Sequence, residues 1–113
     1  MEKFVYLFKG GVDNTQAVSP EAMQAHMQKW NEWMQKLVKD GTMLGGDPLH
    51  PNGKRISGTK KVVTDGPFAE TKEVVGGYLL INANDLNHAT EIAKGCPILE
   101  VDGQVEVRQV RPM

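Results

Sequence analysis

Cysteine and histidine are scarce in this sequence. Cys96 is the only cysteine among 113 residues, which excludes an internal disulfide and the paired cysteines of a zinc site. A lone thiol fits a reducing compartment, so we expect a cytoplasmic protein. The three histidines, at positions 26, 50 and 88, are not spaced as ligands on one element, and we expect no metal. The glycine pairs lack the strand-to-helix setting of a phosphate loop, and we expect no cofactor.

An excess of one charge and a long hydrophobic run are also absent. Lysine and arginine number 13 against 14 aspartate and glutamate residues, a net charge of −1, and the two signs are mixed along the chain. Without a basic stripe we expect no direct contact with nucleic acid. The apolar stretch from Phe4 to Phe8 is too short for a signal-peptide core or a membrane span, so we expect no membrane partner.

What the chain does contain is a regular succession of strand and helix patterns. Residues 3–9 and 74–83 are apolar on both faces, which predicts two central strands. A helix begins near Ser19, which can cap it, and Pro20, which suits its first position. Apolar residues at spacings of three and four then predict an amphipathic helix from Pro20 to about Asp40 that lies on a sheet. The residues predicted to face the sheet are Met23, Met27, Trp30, Met34, Leu37 and Val38.

Shorter elements fill the rest of the chain. A strand at 42–46 and a strand at 54–63, which has an irregularity at Gly58, together form a loose hairpin. A helix capped by Asn84 or Asp85 follows, and then strands at 98–101 and 104–110. This order predicts one ferredoxin-like α+β domain across residues 1–113, with helices on one face of an antiparallel sheet. The other face would expose apolar side chains of the central strands, so we predict a homodimer.

The loop Asp65-Gly66-Pro67-Phe68 is the most unusual chemical feature of the chain. Aspartate, glycine and proline in this order are typical of a tight turn, which needs no further function. Glu70 and Lys72 follow closely, and in an extended segment both side chains would project to one side, near Asp65. A structural turn and a turn that also frames a site both remain open.

The segment from Val63 to Glu73, followed by Gly76-Gly77-Tyr78 and by Val105 to Arg108, resembles the DGPF-domain branch of the YCII-related family. The resemblance extends over nearly the whole chain. It implies a dimeric α/β-barrel built from a ferredoxin-like protomer. It also implies a histidine on the first helix that works with an aspartate near the cleft, and the matching histidine is His26.

The resemblance is incomplete at the aspartate. The family's Asp-Pro-Phe segment after the second helix is replaced here by Gly95-Cys96-Pro97-Ile98. By helical spacing His26 lies at the edge of the apolar stripe, beside Trp30 and Trp33, a position that suits packing as well as catalysis. With Asp65 or Glu70 nearby, it would be a general base.

Two hypotheses follow. The first is a small cofactor-independent enzyme that uses His/Asp acid–base chemistry on a small organic substrate. Its catalytic residues would be His26 and Asp65, and its ligand-binding residues would be Glu70, Lys72, Tyr78 and Arg108. Arg108 suits a carboxylate because its guanidinium is a planar fork, although it can also pair with Glu106 on the same strand face. The alternative is a non-catalytic dimeric module that binds a small-molecule ligand or a protein.

Overall fold

The computed structural model describes residues 1–10, 19–50, 52–66 and 74–113. In chain order its elements are β1 (Glu2–Lys9), α1 (Pro20–Lys39), β2 (Met43–Pro48), β3 (Lys54–Ser57), β4 (Val62–Asp65), β5 (Val75–Ala83), α2 (Leu86–Ala93) and β6 (Gln104–Gln109), with a short 3-10 helix at Pro97–Val101 before β6.

Four of the strands form the main sheet, in the order β2-β5-β1-β6, and neighbouring strands are antiparallel. Because β1 and β5 occupy the centre and each is followed by a helix, this is the ferredoxin-like arrangement of two strand-helix-strand halves. The predicted α+β fold with helices and an antiparallel sheet is therefore confirmed. The two central strands are also the two that the apolar patterns indicated.

The core lies between the main sheet and the two helices. The inward side chains of β1 and β5 are buried there, and they are Phe4, Tyr6, Phe8, Leu79, Ile81 and Ala83. Leu37 of α1 and Ala89 of α2 close the core from the helix side. The Tyr6 hydroxyl donates a hydrogen bond of 2.5 Å to the carbonyl oxygen of Ala89, which ties α2 to the central strand.

The face of the main sheet that points away from the helices has Val5, Leu7 and Leu80 at its centre, and we call it the uncovered face. Cross-strand register places these residues together, because Val5 pairs with Leu80 and alternates with the buried Phe4 and Tyr6. An antiparallel sheet that meets water on one side normally carries polar residues there. The uncovered face instead carries apolar side chains on both central strands.

Both helices begin where capping chemistry predicts. The Ser19 hydroxyl accepts a hydrogen bond of 3.1 Å from the Ala22 N–H, and Pro20 is the first residue of α1. Asp85, one of the two predicted caps, accepts from the His88 N–H at 2.8 Å. Within the described ranges, no helix is both long and apolar enough to cross a membrane.

The predicted inward face of α1 was too wide. Leu37 is buried and Trp30 is partly buried against the core, whereas Met27 and Val38 are 52% and 62% exposed. Trp33, which the pattern placed beside His26, packs against the core, whereas Met27 and Val38 do not. A helix that lies on one sheet buries only one stripe, and side chains at its border reach solvent.

The middle of the chain differs from the prediction. Strand β2 joins the main sheet at its edge and does not pair with β3. Strands β3 and β4 pair with each other around a turn at Gly58, where the sequence suggested one irregular strand. The turn needs a positive φ at both ends, 74° at Gly58 and 56° at Lys61. We call this two-stranded hairpin, residues 54–65, the arm.

The segment before the last strand also differs. Residues 98–101 were expected to be a strand, but Pro97–Val101 forms a 3-10 helix. Proline suits the first turn of a helix because it has no N–H to leave unsatisfied. The helix buries Pro97 and Ile98 and ends at Asp102, whose φ of 61° reverses the chain into β6.

Candidate functional site

His26 is half-buried on α1, and its imidazole is held by a residue one turn further along the helix. Trp30 Nε1 donates a hydrogen bond of 2.9 Å to His26 Nε2. An indole N–H can only donate, so His26 Nε2 must be unprotonated. In a neutral imidazole the proton is then on Nδ1. The spacing of four residues on one helix therefore fixes both the position and the tautomer of His26.

The indole that binds His26 belongs to a row of aromatic rings between α1 and β1. Trp30 packs edge-on against Phe8 and Trp33, with ring centroids 5.2 Å and 5.8 Å apart. Trp33 in turn stacks on Tyr6, at 6.3 Å and an interplanar angle of 24°. Such pairs favour fixed ring orientations. His26 thus lies at the end of an ordered aromatic row that begins in the core.

Tyr78 lies on the uncovered face, opposite to the helices. It pairs with Leu7 on one side and with Asp47 on the other, and paired residues of antiparallel strands share a face. The Tyr78 hydroxyl donates to Asp47 Oδ2 at 3.0 Å. This hydrogen bond, and then the negative charge of Asp47, raise the pKa of Tyr78 above its ordinary value of 10.0. The tyrosine is therefore a protonated donor whose hydroxyl is already engaged.

Arg108 shares the uncovered face with Tyr78. It pairs with Val5 across β1 and β6, two residues along β6 from Glu106. The Glu106 carboxylate is 3.5 Å from Lys9 Nζ, so its partner is Lys9 where the sequence had suggested Arg108. Among the residues that the structure describes, no hydrogen bond or ion pair involves the Arg108 side chain. Its planar fork is therefore available to a ligand or to another chain.

Asp65 lies at the end of the arm, where its Oδ1 is 3.1 Å from Lys54 Nζ. Beyond this pair, the Gly66 N–H donates to the Gly53 carbonyl oxygen at 2.6 Å. Together the two contacts close the base of the arm. In the described part of the chain, neither a hydrogen bond nor an ion pair joins Asp65 to His26.

The other two predicted site residues, Glu70 and Lys72, lie outside the described residues. Pro67 and Phe68 of the loop that begins at Asp65 lie outside them as well. The described candidates are therefore divided among three places. His26 is on the helix side of the main sheet, Tyr78 and Arg108 are on the uncovered face, and Asp65 is on the arm.

A cleft of about 260 Å³ lies where the end of α1 meets α2. Its polar lining has mixed charge, with Lys36 and Asp40 on one side and His88 and Glu91 on the other. His88 Nδ1 accepts a hydrogen bond from the Asn84 N–H at 3.0 Å, and Glu91 forms an ion pair with Lys94. His88 and Glu91 are thus satisfied by local partners, and none of the described site residues that the sequence predicted lines this cleft.

Cys96 is buried, and burial raises the pKa of its thiol from 9.0 to about 11, although a hydrogen bond from the Ile98 backbone opposes the shift. Burial likewise raises the pKa of Tyr6, with a further contribution from Cys96. Both groups are neutral at physiological pH and belong to the core. Across the described ranges, no three His, Cys, Asp or Glu side chains are placed to hold a metal ion.

The sequence reasoning did not single out two residues that organise these sites. Asp47 lies one residue beyond the strand predicted at 42–46, and a longer edge strand would have aligned it with Tyr78. Trp30 was counted as a packing residue, although its spacing of four from His26 places an N–H donor beside an imidazole. In both cases the sequence signal is the relative position of two residues, which is harder to recognise than a single motif.

The chain is similar to a known protein family and to a solved structure. A family model for the YCII-related domain matches residues 5–113. No curated protein matches the chain. Among solved structures, the chain is similar to 5-chloro-2-hydroxyhydroquinone dehydrochlorinase (TftG) from Burkholderia phenoliruptrix AC1100, in its complex with 2,5-dihydroxybenzoquinone. That match has 12% identity and a TM-score of 0.48, and covers 98% of this chain and 94% of the other. Because the family model extends over all but the first four residues, the chain belongs to the YCII-related domain family.

Proposed function

We propose that this protein is a small cofactor-independent enzyme in which His26 acts on an aromatic substrate as a neutral hydrogen-bond donor. The observation that carries the proposal is the bond from Trp30 Nε1 to His26 Nε2, which leaves the proton on His26 Nδ1. A neutral imidazole N–H can polarise a carbonyl oxygen, because its hydrogen bond strengthens as negative charge develops there.

The same bond limits what else His26 can do. To accept a proton at Nε2, the imidazole would first have to break its hydrogen bond to Trp30, since two N–H donors cannot bond to each other. A general-base role through Nε2 is therefore disfavoured. The adjacent ring of Trp30, which is only partly buried, supplies apolar contact for a flat substrate.

Within this proposal Asp65 has a structural role. Its carboxylate is paired with Lys54, and the pair closes the arm at a largely exposed position. The expectation that His26 and Asp65 form a catalytic pair is replaced by one acting residue, His26, and one positioning residue, Trp30.

We further propose that the working form is a homodimer that buries the uncovered face. Val5, Leu7 and Leu80 lie side by side on the two central strands, and their contact with water is unfavourable by about 25 cal/mol for each Å² exposed. Self-pairing of one patch across a twofold axis is the common solution for such a surface.

The alternative function, a non-catalytic dimeric module that binds a ligand or a protein, is supported by a different observation. Two of the described candidate residues are engaged in pairs, Tyr78 with Asp47 on the uncovered face and Asp65 with Lys54 on the arm. Of the described candidate residues, only Arg108 has no hydrogen-bond or ion-pair partner, which suits an anion-binding surface better than a catalytic centre.

The test combines histidine NMR with ligand titration. In protein labelled with ¹⁵N-histidine, we expect His26 to show a protonated Nδ1 and an acceptor Nε2. Aromatic carboxylic acids and aryl ketones are then titrated by the fluorescence of Trp30 and Trp33, and turnover is followed by proton NMR. We expect His26→Gln to slow turnover about 100-fold or more. The exposed His50→Gln is the matched control and keeps full activity.

Two results would reject the catalytic proposal. One is the opposite tautomer of His26 in the wild-type protein. The other is binding without turnover that His26→Gln leaves unchanged, which supports the non-catalytic module. If Arg108→Ala alone abolishes binding of the carboxylic acids, their site is on the uncovered face.

A further inference from the structure

The arm makes no strand pairing with the main sheet, and every residue from Lys54 to Asp65 is exposed. An isolated two-stranded hairpin has marginal stability in water, because it has no second layer on which to pack. The radius of gyration, 15.6 Å, exceeds the roughly 13 Å expected of a compact domain of this length, as a projecting arm would require. Within the described residues no other strand pairs with the arm, and contact with another chain would stabilise it.

The surface of the arm is suited to contact with protein. Ile56 and Val63 pair directly across the two strands and share one face, while Val62 lies on the other. These three residues are 68%, 53% and 55% exposed. Exposed β-branched residues on a short hairpin are typical of a segment that is buried in an assembly.

The net charge of the arm indicates which protein it contacts. The arm has four basic residues, Lys54, Arg55, Lys60 and Lys61, and one acidic residue, Asp65, for a net charge of +3. The rest of the chain has nine basic and thirteen acidic residues, for a net charge of −4. The arm and the body of this chain are therefore complementary, and such complementarity favours association between copies.

We propose that the arm of each protomer docks on the body of a second copy of this chain, so that two arms are exchanged across a twofold axis. Reciprocal exchange buries both arms at once, because a twofold interface presents the same surfaces on both protomers. Ile56, Val62 and Val63 provide the apolar contact, and the lysines at the turn, Lys60 and Lys61, approach acidic groups of the partner. This inference rests on the homodimer proposed above and adds a second contact to it.

Cross-linking between differently labelled copies tests the docking. Unlabelled and ¹⁵N-labelled proteins are co-refolded, treated with a lysine-reactive cross-linker and digested for mass spectrometry. We expect peptides that contain Lys60 or Lys61 to be joined to peptides of the other isotope. A dimer whose arm cross-links all join one isotope would overturn the docking while leaving the dimer intact. A protein that sediments as a monomer would overturn the dimer itself.

Charge reversal supplies a second measurement. We expect Lys60→Glu combined with Lys61→Glu to raise the dimer dissociation constant about tenfold at low salt, and less at high salt. Lys36→Glu combined with Lys39→Glu makes the same change of charge on α1 and is expected to have little effect. Equal effects of the two double variants would contradict the proposal. The proposal would also be contradicted if the wild-type protein bound duplex DNA, and the Lys60/Lys61 double variant lost that binding while its dimer dissociation constant stayed unchanged. The basic arm would then bind nucleic acid.

Discussion

Gly46 allows β2 to approach β5 closely enough for Asp47 to reach Tyr78, and its replacement by alanine gives a sharp test of this arrangement. A Cβ atom at Gly46 would overlap the carbonyl oxygen of Tyr78 and lie 2.8 Å from Leu79 Cα. Both are backbone atoms of a central strand and cannot rotate away. Gly46 also has a φ of 155°, which is unfavourable for a residue with a side chain.

Gly45 provides the matched control. Its φ of 157° is nearly the same, but an added Cβ there would meet nothing within 4 Å. Gly45→Ala should therefore show the backbone cost alone, about 1–3 kcal/mol of unfolding free energy. Gly46→Ala adds an overpacking cost of about 1–3 kcal/mol. The difference in unfolding free energy between the two variants therefore measures the cost that arises from the close approach of β2 to β5.

Urea unfolding at one fixed protein concentration measures both costs, because self-association would make the stability depend on concentration. With a slope of about 1.5 kcal/mol per M, a difference of about 2 kcal/mol moves the midpoint by roughly 1.3 M. If Gly45→Ala and Gly46→Ala unfold at the same urea concentration, β2 does not approach β5 as described, and the bond between Asp47 and Tyr78 loses its structural basis.

Three further predictions concern single groups. Asp47→Asn should lower the pKa of Tyr78 toward 10.0, as followed by phenolate absorbance, because the carboxylate is what raises it. Since the Cys96 pKa is raised from 9.0 to about 11, the unfolded thiol ionises first, and the unfolding free energy should fall by up to about 1.4 kcal/mol per pH unit over that window. Cys96→Ala should remove this part of the slope; an unchanged slope contradicts the assignment. Trp30→Phe should release the fixed tautomer of His26 in NMR spectra, and an unaltered tautomer would show that Trp30 does not set it.

The sequence predicted those elements in which local chemistry and burial agree. The strands of residues 3–9 and 74–83 are apolar on both faces because one face covers the core and the other forms the uncovered face. The start of α1 follows from the capping chemistry of Ser19 and Pro20. In such segments the pattern of side chains and the tertiary environment specify the same structure.

The arm was misread because its turn lacks the usual signals. Gly58 was the only indication of a break, and the other end of the turn places Lys61 at positive φ, which lysine rarely adopts. The residues between them also fit an exposed strand. Local propensity therefore did not reveal the reversal, which is set by the pairing of Ile56 with Val63.

The candidate site was predicted less well, because residue types identify chemistry without identifying neighbours. His26 was correctly placed at the edge of the apolar stripe, and among the described residues its hydrogen-bond partner is Trp30, whereas the sequence had suggested an acid. The alternation of side chains placed Arg108 and Glu106 on one face of their strand, but it could not show which face of the sheet the helices leave uncovered. Partners that lie far apart in the chain depend on strand order, which periodicity does not determine.

Dimer formation would change the surroundings of some candidate site residues and leave those of others unchanged. A second copy on the uncovered face would bring its own side chains to Tyr78 and Arg108, and docking of the arm would move Asp65 next to a neighbouring body. His26 stays on the helix side of its own sheet, held by Trp30 within one helix. Variants that dissociate the dimer should therefore preserve the His26 tautomer while they change the surroundings of Arg108. A dimer-breaking variant such as Leu7→Glu that also released the tautomer would show that the two sites are coupled.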